Sequence, residues 1–128
     1  MRVLLDTHAL LWWFEASDKL SSRVIDLLSN AQTEVFVSAA SAWEISIKER
    51  ADRLIVPHDL LEGFDTSIQS QSFAAFPITS RHAFEAGRFR SLHQDTFDRV
   101  LVSQARLERP TLLSCDDKMN EFDVDLLW

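Results

Sequence analysis

Residues 1–14, MRVLLDTHALLWWF, decide the fold. A short unbroken apolar run at 3–5 stops at a charged Asp6, and Leu10, Leu11 and Phe14 then recur at helical spacing. A buried strand that runs straight into a helix is the opening of an α/β unit. The rest of the chain repeats this pattern. Ser21 is a good helix cap, Val24, Ile25, Leu27, Leu28 and Ala31 mark a second helix, and 35–37 reads as a buried strand followed by Ser38. An alanine-rich lead and the interleaving of Trp43, Ile45 and Ile47 with Glu44 and Lys48 favour a third helix running to Arg53.

Beyond Pro57 comes a polar, weakly amphipathic segment, 58–71, and then a short strand, 74–78, whose end is marked by Pro77. Thr79 can cap a helix to about Ala86, and 87–94, with Arg88, Arg90 and His93, reads as an exposed basic loop. Asp95 caps a helix carrying Phe97, Val100, Leu101 and Ala105. The next buried strand is 111–113, and the last spans 124–128. Strands alternate with helices and no hairpin dipeptide lies between them. This predicts an α/β architecture with a mainly parallel central sheet and helices on both faces. At 128 residues the chain is expected to hold one domain, residues 1–128, since domains run to about 100–200 residues.

Composition narrows the function. Hydrophobic residues make up 46% and charged residues 26%, a globular balance that fits neither a disordered tail nor a disulfide scaffold. Thirteen basic residues against twenty acidic ones leave a net charge of −7, the wrong sign for blanket binding of nucleic acid, so any such role must be local. A single cysteine, Cys115, permits neither an intrachain disulfide nor a multi-cysteine zinc site and fits a reducing compartment, so the expected location is cytoplasmic. Neither export nor membrane insertion is signalled. Gly63 and Gly87 are the only glycines and lie far apart, which argues against a Walker loop or a dinucleotide turn.

In an open parallel sheet the ligand crevice lies beyond the C-terminal ends of the strands. Asp6 and Asp116 fall just after strands, Glu44 at the beginning of the helix after the second strand, and Asp98 in the first turn of the helix before the fourth. Two like charges about 4 Å apart repel by about 4 kcal/mol at an effective dielectric of 20, so four converging carboxylates need a cation or raised pKa values. Hard oxygen donors without a Cys or His set select Mg²⁺ or Mn²⁺. Each acid also has a plainer reading. Asp98 sits at the third position of its helix, where a carboxylate complements the dipole, and Asp116 or its neighbour Asp117 can cap a helix. Glu44 can sit on a solvated face, whereas Asp6, directly after a buried strand, is costly to desolvate and points to function. His8 and His93 read as packing or substrate-side residues, Arg99 as an exposed helix arginine or a phosphate contact, and Trp12, Trp13 and Trp43 as core or interface. Ser41 and Ser103 stand in no hydrolase motif, and Cys115 beside two acids is expected to be unreactive.

The blocks LLDTHALLWW, VSAASAWEISIK, LHQDTFDRVLVSQA, LLSCDD and VDLLW, in that order, resemble the PIN-domain ribonucleases, and more narrowly the VapC-type toxin nucleases of bacterial type II toxin–antitoxin pairs. The resemblance covers almost the whole chain and implies a PIN-like three-layer sandwich. It places the family's metal-site acids on Asp6, Glu44, Asp98 and Asp116, with Asp6 and Asp98 as the principal ligands of Mg²⁺ or Mn²⁺. Thr7, Ser38 and Ser114 match hydroxyl positions near that site, with helix capping an equal reading for Thr7 and Ser38. Two departures stand out: Thr96 replaces a usual proline, and Asp52 stands where a glycine often precedes a Lys-Leu. In the fourth block the family's Thr-x-Asp becomes Ser114, Cys115 and Asp116, which leaves Asp117 open as a substitute.

The chemistry this resemblance implies is metal-dependent hydrolysis of RNA, with Arg88, Arg90, His93 and Arg99 touching phosphate over a short stretch. It also implies a cognate antitoxin, a homodimer and no membrane. Two rivals stand beside it: a receiver-like phosphoacceptor domain, whose paired acids after the first strand and lysine after the last are missing, and a non-catalytic interaction module on the same scaffold.

Overall fold

Five parallel strands form one sheet in the computed structural model, which describes residues 1–128. In chain order the elements are β1 (Arg2–Leu5), α1 (Thr7–Phe14), α2 (Ser22–Ser29), β2 (Glu34–Ser38), α3 (Ala39–Arg50), α4 (His58–Glu62), α5 (Phe64–Ser70), β3 (Ala74–Phe76), α6 (Ser80–Arg88), α7 (Thr96–Glu108), β4 (Thr111–Leu113), a 3-10 turn (Asp117–Glu121) and β5 (Leu126–Leu127). The strand order is β3-β2-β1-β4-β5. A receiver-type sheet follows the order 2-1-3-4-5, so the phosphoacceptor reading fails on topology.

The alternation of side chains along β1 divides the interior into two cores. Val3 and Leu5 join Val35, Val37 and Leu113 in one core, with Leu10 and Leu11 of α1, Val24 and Leu28 of α2 and Ile68 of α5. Leu4 faces the other way, onto Leu101, Val102 and Ala105 of α7 and Met119 and Phe122 after β4. Helices thus cover both faces, and β1 is buried on each side as its unbroken apolar run requires. Register aligns Leu5 with Val37 and with Leu113, so the residues after these strands emerge along one edge. Between β1 and β4 the chain's order reverses, the position at which open α/β sheets present their ligand crevice.

Several expected boundaries move, each for a local reason. α3 stops at Arg50 instead of reaching Arg53 because Asp52 turns left-handed, with φ 55°. Its N–H donates to Glu49 O and that of Arg53 to Lys48 O, the pair of bonds that closes a helix in a Schellman motif. The residue that departs from the family's glycine therefore occupies the position where glycine is favoured. The segment 58–71 folds as two short helices joined at Gly63. α6 runs on to Arg88 from a box in which Thr79 and His82 cap each other, leaving 89–95 as the loop. The last strand covers only Leu126–Leu127, and the Asp116 cap that the sequence allows begins a short 3-10 turn, Asp117–Glu121, ahead of it.

A direct consequence is testable. Asp52→Gly relieves the left-handed conformation and stabilises the chain by about 0.5 kcal/mol, whereas Asp52→Val costs about 1 kcal/mol or more. Urea midpoints at unchanged slope measure both.

Candidate active site

Asp6 extends β1 by one residue: its N–H donates to Leu113 O at 3.1 Å, which ties it to β4, and its carboxylate caps α1 by accepting from Ala9 N at 2.7 Å. The capping and functional readings of this residue are therefore compatible. Asp6 is only 5% exposed, and burial raises its pKa; hydrogen bonds from Ser114 and Ala9 and the charge of His8 pull it down, while Asp116 pushes it up.

Glu44 lies in the second turn of α3, not at the beginning of the helix as expected, and is equally buried. It forms an ion pair with Lys48 one turn further on. Asp98 stands in the first turn of α7, its N–H donating to Asp95 Oδ1 at 3.0 Å and its Oδ2 lying 2.8 Å from His93 Nε2. Burial raises Asp98 to about 6, against the pull of the His93 hydrogen bond, with Asp95 and Glu44 adding like-charge repulsion. Asp116 follows β4 and caps the 3-10 turn by accepting from Lys118 N at 3.0 Å.

The four carboxylates line a single cleft of about 510 Å³, together with Thr7, His8, Lys48, His93, Asp95 and Glu121 among others. Asp117 does not reach it and borders a separate hollow beside Trp128. No three of the acidic or imidazole groups are drawn into a ready coordination cage. Each acid is instead held by its own donor: Ala9 N–H for Asp6, Lys48 for Glu44, His93 for Asp98 and Lys118 N–H for Asp116. Each of these four bonds uses one named carboxylate oxygen and leaves the other oxygen of the pair out of it. This donor set, all oxygen and partly desolvated, suits a hard divalent cation.

The supporting residues divide. Thr7 lines the cleft and donates to Ser41 Oγ at 3.0 Å. Ser38 is fully buried, caps α3 through Ala40 N and donates to Gln104 Oε1 at 2.6 Å, so it braces the floor without reaching the cleft. Ser114 Oγ accepts from Asp116 N at 3.2 Å, and the same side chain favours the ionised form of Asp6. Arg99 is not an exposed helix arginine. It donates to the carbonyls of Ala86, Phe89 and His93 and stacks over Phe89, so it fastens the 89–95 loop from behind and does not line the cleft.

Arg88 lies over the Phe84 ring. Trp12 and Trp13 are half-buried against the core, and Trp43 is more open than either, 49% exposed and edge-on to Phe97. Burial and the charges of Asp6, Asp116 and Asp117 push the Cys115 thiol up, which disfavours the reactive thiolate. The sequence reading missed Lys48 as a member of the site; a glutamate four residues before a lysine on one helix was the signal.

An acidic cleft at the reversal point of an all-parallel, three-layer sheet defines the class of protein. The family model described as PIN domain matches residues 3–125, and the chain belongs to that family. PIN domains are generally nucleases. No curated protein matches the sequence. Among solved structures, the chain is similar to VapBC2 from Rickettsia felis bound to a DNA fragment from its promoter, at 14% identity, 99% and 98% coverage of the two chains and a TM-score of 0.69. It is also similar to FitAcB from Neisseria gonorrhoeae, at 16% identity, 98% and 96% coverage and a TM-score of 0.63. FitAB bound to an IR36 DNA fragment matches at 18% identity, 98% and 93% coverage and a TM-score of 0.65. At these identities the likeness is one of fold. No helix is long and apolar enough to cross a membrane.

The raised Asp98 pKa has a consequence for stability. Between the ordinary 3.8 and about 6 the native chain holds more protons than the unfolded one, so this residue's contribution to stability falls as pH rises through that window. Asp98→Asn removes the penalty. The metal-free variant is expected to be about 1–2 kcal/mol more stable than wild type at pH 7, with the difference gone by pH 4. Paired thermal melts across that range check it.

Proposed function

We propose that the chain is a divalent-metal-dependent endoribonuclease of the VapC type, acting as the toxin of a type II toxin–antitoxin pair. The carrying observation is the convergence of Asp6, Glu44, Asp98 and Asp116 on one cleft at the sheet's reversal point, in a chain of the PIN family. In this reading Asp6 and Asp98 hold Mg²⁺ or Mn²⁺, and Glu44 and Asp116 complete or orient the site. The bound ion supplies Lewis acidity at a phosphodiester and a water of lowered pKa.

The protein's own contribution is positional. The β1–β4 ladder fixes Asp6, and Asp95 fixes the first turn of α7 that carries Asp98. Ser114 holds the backbone of Asp116, and the 89–95 loop forms one wall. Partial burial keeps water from screening these charges, so they act on a phosphate more strongly than exposed acids would.

RNA is the substrate in this proposal, reached at a local site on an acidic protein, with exposed Arg90, which lines a neighbouring hollow on the same 89–95 loop, as a phosphate contact. An antitoxin partner, a homodimer and a cytoplasmic setting belong to the same reading. The support for the antitoxin is the likeness in fold to chains from the VapBC and FitAB complexes.

Incubation with a panel of structured RNAs, tRNA included, with Mg²⁺ or Mn²⁺ and an EDTA control, tests the proposal. Cleavage that EDTA abolishes is expected. Asp6→Asn should lose it by a factor of about 10² or more while staying folded, because asparagine caps a helix as well as aspartate does. Cleavage indifferent to EDTA contradicts the metal dependence, and no cleavage across the panel contradicts the nuclease reading and leaves an interaction module on the PIN scaffold.

A further inference from the structure

The acids of the cleft differ in the kind of donor that holds them. Asp6 and Asp116 accept from backbone N–H groups, which are fixed and neutral. Asp98 faces an imidazole, which can donate without carrying charge. Glu44 alone is paired with an obligate side-chain cation: Lys48 Nζ lies 2.5 Å from Glu44 Oε2. The other lysine of the cleft, Lys118, touches an acid only through its backbone.

We propose that Lys48 is the cleft's resident counterion: it holds Glu44 in the absence of a metal ion and competes with a divalent cation for that carboxylate, and so sets the site's metal affinity. The inference rests on the metal-dependent reading above and adds a regulating residue to it. Three features carry it. The pair has the favoured order, glutamate four residues before lysine on one helix, so the ammonium reaches Glu44 without distorting α3. The Glu44 side chain is 6% exposed, so its attraction for a cation is weakly screened. The Lys48 side chain is 27% exposed and flexible, so it has an open path off Glu44 when a stronger cation arrives. A lysine that stays close afterwards repels the incoming ion, and one that leaves gives up its ion pair; both weaken metal binding relative to a chain without it. Lys48 is thus a positioning residue for Glu44.

Calorimetric titration of Mn²⁺ at pH 8 into wild type, Lys48→Met and Lys48→Arg tests this without recourse to activity. Lys48→Met is expected to bind about five- to tenfold more tightly than wild type, and Lys48→Arg, which keeps the charge, within about twofold of it. Metal-free Lys48→Met should melt below wild type, and Mn²⁺ should raise its melting temperature by more than it raises that of wild type. Lys48→Gln provides the same comparison where the methionine variant does not fold. Equal or weaker Mn²⁺ binding by the uncharged variants overturns the role of Lys48 and leaves the nuclease reading standing. Absence of Mn²⁺ binding by wild type overturns both.

Discussion

Four carboxylates brought together in a partly desolvated cleft repel one another, and the organisation around them answers that repulsion. The sheet supplies the convergence: β1 and β4 are hydrogen-bonded neighbours with their ends in register, so Asp6 leaves the sheet level with Ser114, and Asp116 follows two residues on into the same cleft. α3 and α7 bring Glu44 and Asp98 to the same space from their first two turns. Burial makes the ionised form of such a group costly and like charge adds a smaller part, and the cost appears in the raised pKa values of Asp6 and Asp98. It is limited by giving each acid a donor of its own. On the proposed reading a hard divalent cation would offset the remaining negative charge.

The two-sided burial of β1 has the same root. A strand apolar on both faces can carry charged residues only at its two ends, and Asp6 sits where it leaves the sheet. On one face α1 continues from the Asp6 cap. On the other, α7 packs Leu101 and Val102 beneath Leu4 and so fixes where Asp98 emerges. Arg99, the next residue, is turned away from the cleft and holds the loop that forms its wall. Position in the fold therefore gives neighbouring charged residues opposite tasks: Asp98 faces the cleft, and Arg99 organises the backbone behind it.

Much of this was legible in the sequence because the signals were local and strong. The apolar run before Asp6, the strand at 111–113 and the caps Ser21, Thr79 and Asp95 all use interactions within a few residues, and they stand where they were expected. What escaped depended on tertiary context or on backbone states without a compositional mark. The left-handed Asp52 ends α3 early at a residue type that only tolerates that conformation. The division of 58–71 into two helices at Gly63 and the 3-10 turn at Asp117–Glu121 follow from packing against elements distant in sequence. That Asp116 and not Asp117 lines the cleft is decided by the turn that Asp116 caps. Arg99 and the tryptophans could not be placed from spacing alone, because exposure on a helix depends on what lies over it.

The most direct test of the account is where a divalent ion sits. A crystal of the wild-type chain grown or soaked with Mn²⁺ and measured at the manganese absorption edge locates the ion by its anomalous signal. The account predicts a peak in the acidic cleft, bound by oxygens of Asp6 and Asp98 and remaining partly hydrated. A well-measured map with no peak in the cleft, or with manganese bound only elsewhere, would contradict it.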